Sequence, residues 1–241
     1  METRSCPSSV EIRMIPKKLH FIYTKYPLPK AFQNNLNQWK NVCSGWDIRC
    51  YSKEDIFTFF EAHFPELLPE LLNITLDVVL ADLFRYALLF IEGGVYLDID
   101  TIPLQPLPKK WLTQKVVLGY EFVLSMDPES TWYTRDTFCT WALLSIPQHP
   151  LFKEVLERSI QTLKERHYHF ENPKDVLLST GPIVFTDVAR NYMQDIFALP
   201  VDTFAAGPEK VPISKNSVLL HQYQGKYGWF LEVQTPQLRV Y

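Results

Sequence analysis

The stretch at residues 77–101, DVVLADLFRYALLFIEGGVYLDIDT, decides the fold of this chain. Residues 77–91 are dense in apolar side chains, which predicts a helix that is buried over most of its surface. Gly93 and Gly94 end that helix, because glycine adopts the positive-φ backbone of a helix C-terminus without steric cost. Residues 95–100 then alternate apolar and polar side chains, which predicts a short strand.

The polar side chains of this stretch indicate its chemistry. Asp82, Arg85 and Tyr86 fall at i, i+3 and i+4, so they share one helix face. Asp98 and Asp100 lie two residues apart on the predicted strand, which places them roughly 7 Å apart, too far for a simple clamp on one cation. We expect them to share a divalent metal that a diphosphate already holds, with Arg85 paired to Asp82 or to a phosphate.

The same stretch is similar to the core of the DxD-containing sugar transferases of glycosyltransferase family 32, which also resembles the core of glucosylating bacterial toxins. The resemblance implies a GT-A-like α/β domain whose central sheet is mostly parallel and flanked by helices. It also implies that Asp82, Arg85, Tyr86 and Asp98 bind the donor. Asp98 and Asp100 are further implied to bind the metal and to take part in catalysis. The matching positions are Ala81, Asp82, Arg85, Tyr86, Gly93, Gly94, Tyr96, Leu97, Asp98 and Asp100.

Upstream residues predict the rest of a parallel sheet. Residues 15–23, IPKKLHFIY, form a strand-like run that resembles the family's opening strand. Ligands of α/β sheets bind at the carboxyl ends of strands, so Phe21, Ile22 and Tyr23 are predicted to form a nucleotide-base pocket. Helical and strand-like segments then alternate through residues 28–72, as parallel sheets require. We expect residues 1–14 to be a polar lead-in and residues 15–241 to form the transferase domain.

Glu121 and the Thr180-Gly181 pair are further candidate site residues. Glu121 interrupts the strand-like run 116–124, where a charge is rarely unpaired, so it is either a catalytic or acceptor-binding carboxylate or a satisfied structural one. Thr180 and Gly181 precede a predicted helix, whose N-terminus offers N–H groups to an anion or a hydroxyl. They resemble a family element that lines the sugar pocket, although the same tripeptide also occurs as a mere turn.

His221 ends a predicted strand near the C-terminus, and Gly228-Trp229 follows it. Family members carry a late histidine followed by Ser-Trp or Gly-Trp, and in this fold such a histidine commonly ligates the metal. The resemblance therefore implies His221 as a ligand beside Asp98 and Asp100. Neutral imidazole suits Mn²⁺, and Mg²⁺ is the alternative ion.

Composition bounds the remaining possibilities. The 241 residues are 46% hydrophobic and 21% charged, as in ordinary globular proteins, and the net charge of −3 gives no reason to expect nucleic acid as a partner. The cysteines show no metal-site spacing, and we expect free thiols, although Cys43 and Cys50 could bridge. No signal peptide or membrane anchor is visible, so we expect no transmembrane segment and a cytoplasmic protein, unlike many Golgi relatives.

The function expected from these features is a metal-dependent retaining glycosyltransferase. It would move a hexose from a UDP- or GDP-sugar to a glycan or other hydroxyl acceptor, either by same-face attack or by a covalent route through Glu121. One alternative is a sugar-binding module without turnover, which would not need a metal-diphosphate site. Another is a metal-dependent phosphodiesterase or hydrolase, which usually needs more carboxylates and histidines.

Overall fold

The computed structural model describes residues 14–207, 211–224 and Val233. Its helices are α1 (Lys30–Val42), α2 (Lys53–His63), α3 (Leu68–Leu71), α4 (Asp77–Glu92), α5 (Pro150–Glu165), α6 (Pro173–Ser179), α7 (Pro182–Ala189) and α8 (Val201–Phe204). Its strands are β1 (Lys18–Ile22), β2 (Asp47–Tyr51), β3 (Gly94–Leu97), β4 (Thr101–Pro103), β5 (Val116–Phe122), β6 (Thr137–Ser145), β7 (Ile196–Leu199) and β8 (Leu219–His221). The 1–14 lead-in falls almost wholly outside the described residues, as does Gly228-Trp229.

A six-stranded sheet in the order β2-β1-β3-β6-β5-β7 forms the centre of the fold. Its strands β2, β1, β3, β5 and β7 run in one direction, and β6 runs antiparallel to its neighbours β3 and β5. Helices cover both faces of the sheet. Two separate apolar cores therefore form, one on each side of it. The predicted α/β fold with a mostly parallel sheet is confirmed.

Helix α4 lies in the first core, where most of its residues are buried. It ends at Gly93, whose φ of 63° is left-handed, and a Cβ atom there would lie 2.6 Å from the backbone nitrogen of Pro147. The helix therefore passes into β3 through a tight break that only glycine fits, as the sequence predicts.

Strand β3 differs from its prediction at its far end. It stops at Leu97, so Asp98 and Asp100 lie in a turn and not on the strand. The backbone N–H of Thr101 donates to the Asp98 carbonyl at 3.1 Å, and the Thr101 hydroxyl donates to the same carbonyl at 2.7 Å. This turn sends the chain into β4, which pairs with β8 near the chain's end.

His20 on β1 is buried, and its ring atoms lie 3.0 Å from the Gly93 carbonyl and 3.2 Å from the Tyr51 hydroxyl.

Two further expectations can be compared with the structure. Cys43, Cys50 and Cys139 are free thiols, so the bridge between Cys43 and Cys50 is absent. Among the described helices, none combines the length and the apolar composition that a bilayer span requires.

Candidate active site

The turn after β3 brings three potential metal ligands together. Asp98, Asp100 and His221 each offer a ligand atom, and these atoms lie within 4.8 Å of one another. The separation of roughly 7 Å predicted for the two carboxylates is wrong, because it assumed an extended strand and the chain turns instead. Both aspartates can therefore face one small cation.

His221 reaches this turn through the pairing of β8 with β4, in which Thr101 and His221 are partners. The Nε2 atom of His221 lies 3.1 Å from Asp100 Oδ1 and 3.9 Å from Asp98 Oδ2. The indole of Trp141 stacks on the imidazole, with 4.5 Å between the ring centroids. The histidine is thus held against both carboxylates, although it lies 121 positions after the nearer one in sequence.

Asp100 is buried and is held in its ionised form. The backbone N–H of Gln224 donates to Asp100 Oδ2 at 2.8 Å. Burial alone raises the pKa of Asp100, but the hydrogen bond and charge of His221, together with the Gln224 N–H, outweigh it and leave the pKa below its usual value. A carboxylate in this state is a ready ligand for a cation.

Asp98 is the most open of the three, with 28% of its side chain exposed. Its Oδ1 atom accepts a hydrogen bond from the Tyr96 hydroxyl at 2.5 Å and lies 3.4 Å from Arg85 Nη1. Its Oδ2 atom faces His221. One oxygen is therefore fixed by the protein, and the other points toward the candidate metal position.

Arg85 connects Asp98 to helix α4. Its guanidinium lies 3.1 Å from Asp82 Oδ1, donates to the Thr140 carbonyl at 2.6 Å and stands 4.6 Å above the centre of the Tyr96 ring. Burial lowers the pKa of Arg85, but the surrounding acidic groups outweigh it and the pKa is raised. The guanidinium therefore stays charged, and the predicted pairing of Arg85 with Asp82 is present.

The carboxyl group of Asp82 has a raised pKa, whereas the pKa of Asp100 is lowered. Burial raises its pKa to about 6, although the charge of Arg85 and a hydrogen bond from Thr180 oppose that rise. The Thr180 hydroxyl donates to Asp82 Oδ2 at 2.8 Å, and the Thr180 carbonyl accepts from the Tyr86 hydroxyl at 2.7 Å. Asp82 thus joins the loop before α7 to the site.

An open cavity of about 760 Å³ lies over this cluster. The candidate residues that line it are Ile22, Tyr23, Asp82, Arg85, Asp98, Asp100, Glu121, Gly181 and His221. The structure places three other candidates outside the lining. Phe21 points to the opposite face of the sheet, and Tyr86 and Thr180 are fully buried behind Asp82.

Glu121 is a buried carboxylate in the cavity wall. Tyr133, on the loop between β5 and β6, makes a side-chain hydrogen bond to it. Burial raises the pKa of Tyr133 well above its usual value, and the charge of Glu121 raises it further. Glu121 therefore has a structural partner on this loop. Its role as a catalytic or acceptor-binding carboxylate stays a prediction.

The sequence interpretation missed strand β6, which carries Thr140 and Trp141. Its residues, TFCTWALLS, are buried on both faces. A strand that is buried on both faces is typical of the centre of a sheet, but this one lacks the alternation by which the other strands were predicted. The contacts of Arg85 with Thr140 and of His221 with Trp141 were therefore not foreseen.

The donor set at the turn fits a divalent cation such as Mn²⁺. Two carboxylates and one imidazole form a mixed oxygen and nitrogen shell, and Asp98 Oδ2 and His221 Nε2 both face the gap between the residues. Three protein ligands would leave positions for the oxygens of a diphosphate. Asp98, Asp100 and His221 are therefore the residues that would hold the ion.

Comparison with known proteins places residues 29–118 in the glycosyltransferase sugar-binding region containing the DXD motif. The initiation-specific alpha-1,6-mannosyltransferase of Candida albicans is 32% identical over 144 residues, which are 52% of this chain and 37% of that protein. Inositol phosphoceramide mannosyltransferase 1 of Schizosaccharomyces pombe is 25% identical over 82% of this chain and 60% of its own length. The chain thus spans less than two thirds of these relatives.

Two solved structures share the fold. The PaToxG glycosyltransferase aligns with a TM-score of 0.50 and 18% identity, covering 76% of this chain and 71% of its own. The ligand-free glycosyltransferase domain of the YGT toxin aligns with a TM-score of 0.55 and 9% identity, covering 78% and 80%. These likenesses concern the GT-A fold alone. Residues 29–118 of the chain, which include the stretch at residues 77–101, match the DXD-containing glycosyltransferases.

Proposed function

We propose that this chain is a metal-dependent retaining glycosyltransferase that moves a hexose from a nucleoside-diphosphate sugar to a hydroxyl of a glycan or another acceptor. The observation that supports the proposal best is the convergence of Asp98, Asp100 and His221, whose ligand atoms lie within 4.8 Å of one another. This cluster lines a cavity of about 760 Å³, a size typical of small-molecule sites.

The chemistry needs the negative charge of the departing diphosphate to be neutralised. A divalent cation supplies this as a Lewis acid. Asp98 and Asp100 would orient it, and His221 would complete the protein's share of the ligands. Arg85 holds the Asp98 carboxylate in place through its contact at 3.4 Å and adds a fixed positive charge beside the reacting centre.

Two reaction routes that retain the anomeric configuration of the sugar are compatible with these residues. In one, the acceptor hydroxyl attacks on the face from which the diphosphate leaves, and a phosphate oxygen takes its proton. In the other, the Glu121 carboxylate would displace the diphosphate and form a covalent bond to the sugar. The acceptor hydroxyl would then displace Glu121 from the opposite face and lose its proton to the departed diphosphate. Glu121→Gln separates them, because it should abolish a covalent route and only weaken a same-face attack.

Mannose is the first sugar to test, because the relatives described above carry mannosyltransferase names. The purified chain would be incubated with Mn²⁺ and with GDP-mannose or the UDP-linked forms of glucose, galactose and N-acetylglucosamine. Release of the nucleoside diphosphate would be measured with and without an oligosaccharide acceptor.

The expected result is acceptor-stimulated release from one donor, which EDTA and Asp98→Asn abolish. A matched control is Asp47→Asn, which alters an exposed aspartate that pairs with Arg49 at 3.0 Å. Donor binding without release would indicate the sugar-binding module instead. Release of a nucleoside monophosphate would indicate a hydrolase.

A further inference from the structure

His221 is oriented in an unusual way for a histidine that would bind a metal. The second ring nitrogen of a metal-binding histidine almost always donates a hydrogen bond, which fixes the direction of the ring. The Nδ1 atom of His221 is buried, and it makes no hydrogen bond to any residue that the structure describes. Its Nε2 atom faces Asp98 and Asp100. Within the described part of the chain, another kind of contact must therefore fix the direction of this ring.

Two aromatic side chains supply that contact. Trp141 stacks on the imidazole of His221, with 4.5 Å between the ring centroids and 22° between the ring planes. The centroid of the Tyr223 ring lies 4.1 Å from that of the imidazole, and Tyr223 meets Trp141 edge to face at 5.5 Å. Each of the three rings thus contacts the other two. All three residues are buried, so close packing leaves the imidazole little freedom to turn.

The two aromatic residues are anchored to the same segment of backbone as the histidine. This segment, residues 204–206, lies at the end of α8 and offers three consecutive carbonyl groups. Trp141 Nε1 donates to the Phe204 carbonyl at 2.8 Å, the Tyr223 hydroxyl to the Ala205 carbonyl at 3.3 Å and the backbone N–H of His221 to the Ala206 carbonyl at 3.0 Å. One short stretch of backbone therefore sets the relative positions of the three rings.

Trp141 also holds a second candidate ligand of the metal. Its backbone carbonyl accepts a hydrogen bond from the N–H of Asp98 at 2.9 Å. The main chain of Trp141 thus contacts Asp98, and its side chain contacts His221. Truncation of the indole leaves the contact with Asp98 in place, so its effect on a bound metal would report on His221.

We propose that Trp141 and Tyr223 are positioning residues, which aim His221 Nε2 at the metal by ring contact in place of the usual hydrogen bond at Nδ1. The inference rests on the proposed metal-dependent function and adds two residues to it, both outside the stretch at residues 77–101. Both side chains also line the cavity, where they could instead contact the sugar donor or the acceptor. The test must therefore measure the metal alone.

Mn²⁺ binding without nucleotide or sugar makes that distinction. Electron paramagnetic resonance of the free ion would give the dissociation constant of each variant. Trp141→Leu and Tyr223→Leu remove a ring and should raise the dissociation constant for Mn²⁺ by about tenfold or more, as the loss of other partners of metal ligands does. Trp141→Phe and Tyr223→Phe keep a ring and should recover most of the affinity. Residues that contact only the substrate would leave all four constants at the wild-type value.

A distant variant and a double variant provide the controls. Phe152 is a buried ring in the core on the other side of the sheet, so Phe152→Leu should lower the melting temperature without changing the dissociation constant for Mn²⁺. His221→Ala removes the residue through which the two rings would act. Adding Trp141→Leu to His221→Ala should therefore weaken Mn²⁺ binding no further, since the effects of coupled residues are not additive.

The outcomes separate this inference from the proposed function. Wild-type constants in both leucine variants, or a further loss of affinity when Trp141→Leu is added to His221→Ala, overturn the positioning role and leave the glycosyltransferase function standing. Trp141→Phe binding as weakly as Trp141→Leu overturns it too, because the bond to Phe204 would then be the cause. Failure of the wild-type chain to bind Mn²⁺ overturns both. If Trp141→Leu fails to fold in a melting experiment, Tyr223→Leu, alone and combined with His221→Ala, decides.

Discussion

The two oxygens of the Asp98 carboxylate have different partners, and this asymmetry organises the site at the scale of single residues. Oδ1 is bound by the Tyr96 hydroxyl and approached by Arg85, whereas Oδ2 faces His221. Asp100 is the inverse case, since its Oδ2 is fixed by a backbone N–H and its Oδ1 lies 3.1 Å from His221. Each aspartate thus presents one oxygen to the same gap.

Asp100→Asn should reduce turnover by about a hundredfold or more at saturating Mn²⁺. A neutral amide is a weak ligand for a hard cation, and the loss should resemble that of a group that stabilises charge in the transition state. The amide oxygen can still accept from the Gln224 N–H, so the melting temperature should change little. Turnover and melting would be measured beside Asp47→Asn, and near wild-type turnover would contradict the metal assignment.

Arg85→Lys should not preserve activity, although it conserves charge. The planar guanidinium contacts Asp82, Asp98 and the Thr140 carbonyl at once, and a single ammonium group cannot reach all three. We expect unfolding free energy to fall by about 2 kcal/mol or more, since buried pairs are costly to break. Arg49→Lys, at an exposed ion pair, should stay within about 0.5 kcal/mol of wild type. Equal losses in urea denaturation would count against a special role for Arg85.

At the scale of elements, the sequence predicts α4, the glycine break and the start of β3 because each has a local cause. The turn at Asp98 has no such signal, since the alternation of side chains continues through Asp100. What ends the strand is the hydrogen bonding of Thr101 back to Asp98 and the pairing of Thr101 with His221. Those partners depend on tertiary contacts that a local pattern does not contain.

The break between α4 and β3 provides a matched pair of glycine variants. Gly93→Ala places a Cβ atom 2.6 Å from Pro147 nitrogen at a φ of 63°, whereas Gly45→Ala at a φ of 81° meets nothing within 4 Å. Gly45→Ala should therefore cost only the backbone strain, about 1 kcal/mol. Gly93→Ala adds a steric clash and should cost about 2 to 5 kcal/mol. Similar urea midpoints for both variants would show that the break is less crowded than the structure indicates.

His20 links β1 to the same break and should make stability depend on pH. Burial lowers its pKa to about 4, although a hydrogen bond to the Gly93 carbonyl opposes this. The folded protein therefore keeps His20 neutral at pH values where the unfolded chain, with a pKa of about 6.5, takes up a proton. Stability from this group is complete above pH 6.5 and declines as the pH falls toward 4, by about 2 kcal/mol at pH 5.

His20→Gln isolates that contribution from the other titrating groups. Urea denaturation of both proteins at pH 7.5 and pH 5 should show that the wild type loses about 2 kcal/mol more than the variant between the two values. A parallel decline of both curves would mean that His20 is protonated in the folded state as well.

At the scale of the whole molecule, the site joins distant parts of the chain. Asp100 follows β3, His221 ends β8, and Trp141 on β6 packs between the sheet and the imidazole. The sequence indicated His221 only through its family resemblance, because nothing local fixes the register of β8 against β4.

Because the ligands of the candidate metal site come from distant parts of the chain, binding of the cation should raise the stability of the whole fold. A ligand that binds only the folded state adds about 2.7 kcal/mol at one hundred times its dissociation constant, which for a domain of this size raises the melting temperature by about 5 to 10 °C. His221→Ala removes the ligand supplied by the last described strand, so it should lose most of the rise with Mn²⁺. His63→Ala, at the exposed end of α2, should keep it. Melting curves with Mn²⁺ or EDTA decide the matter: an undiminished rise in His221→Ala would remove that residue from the site and leave the two aspartates as the protein's ligands.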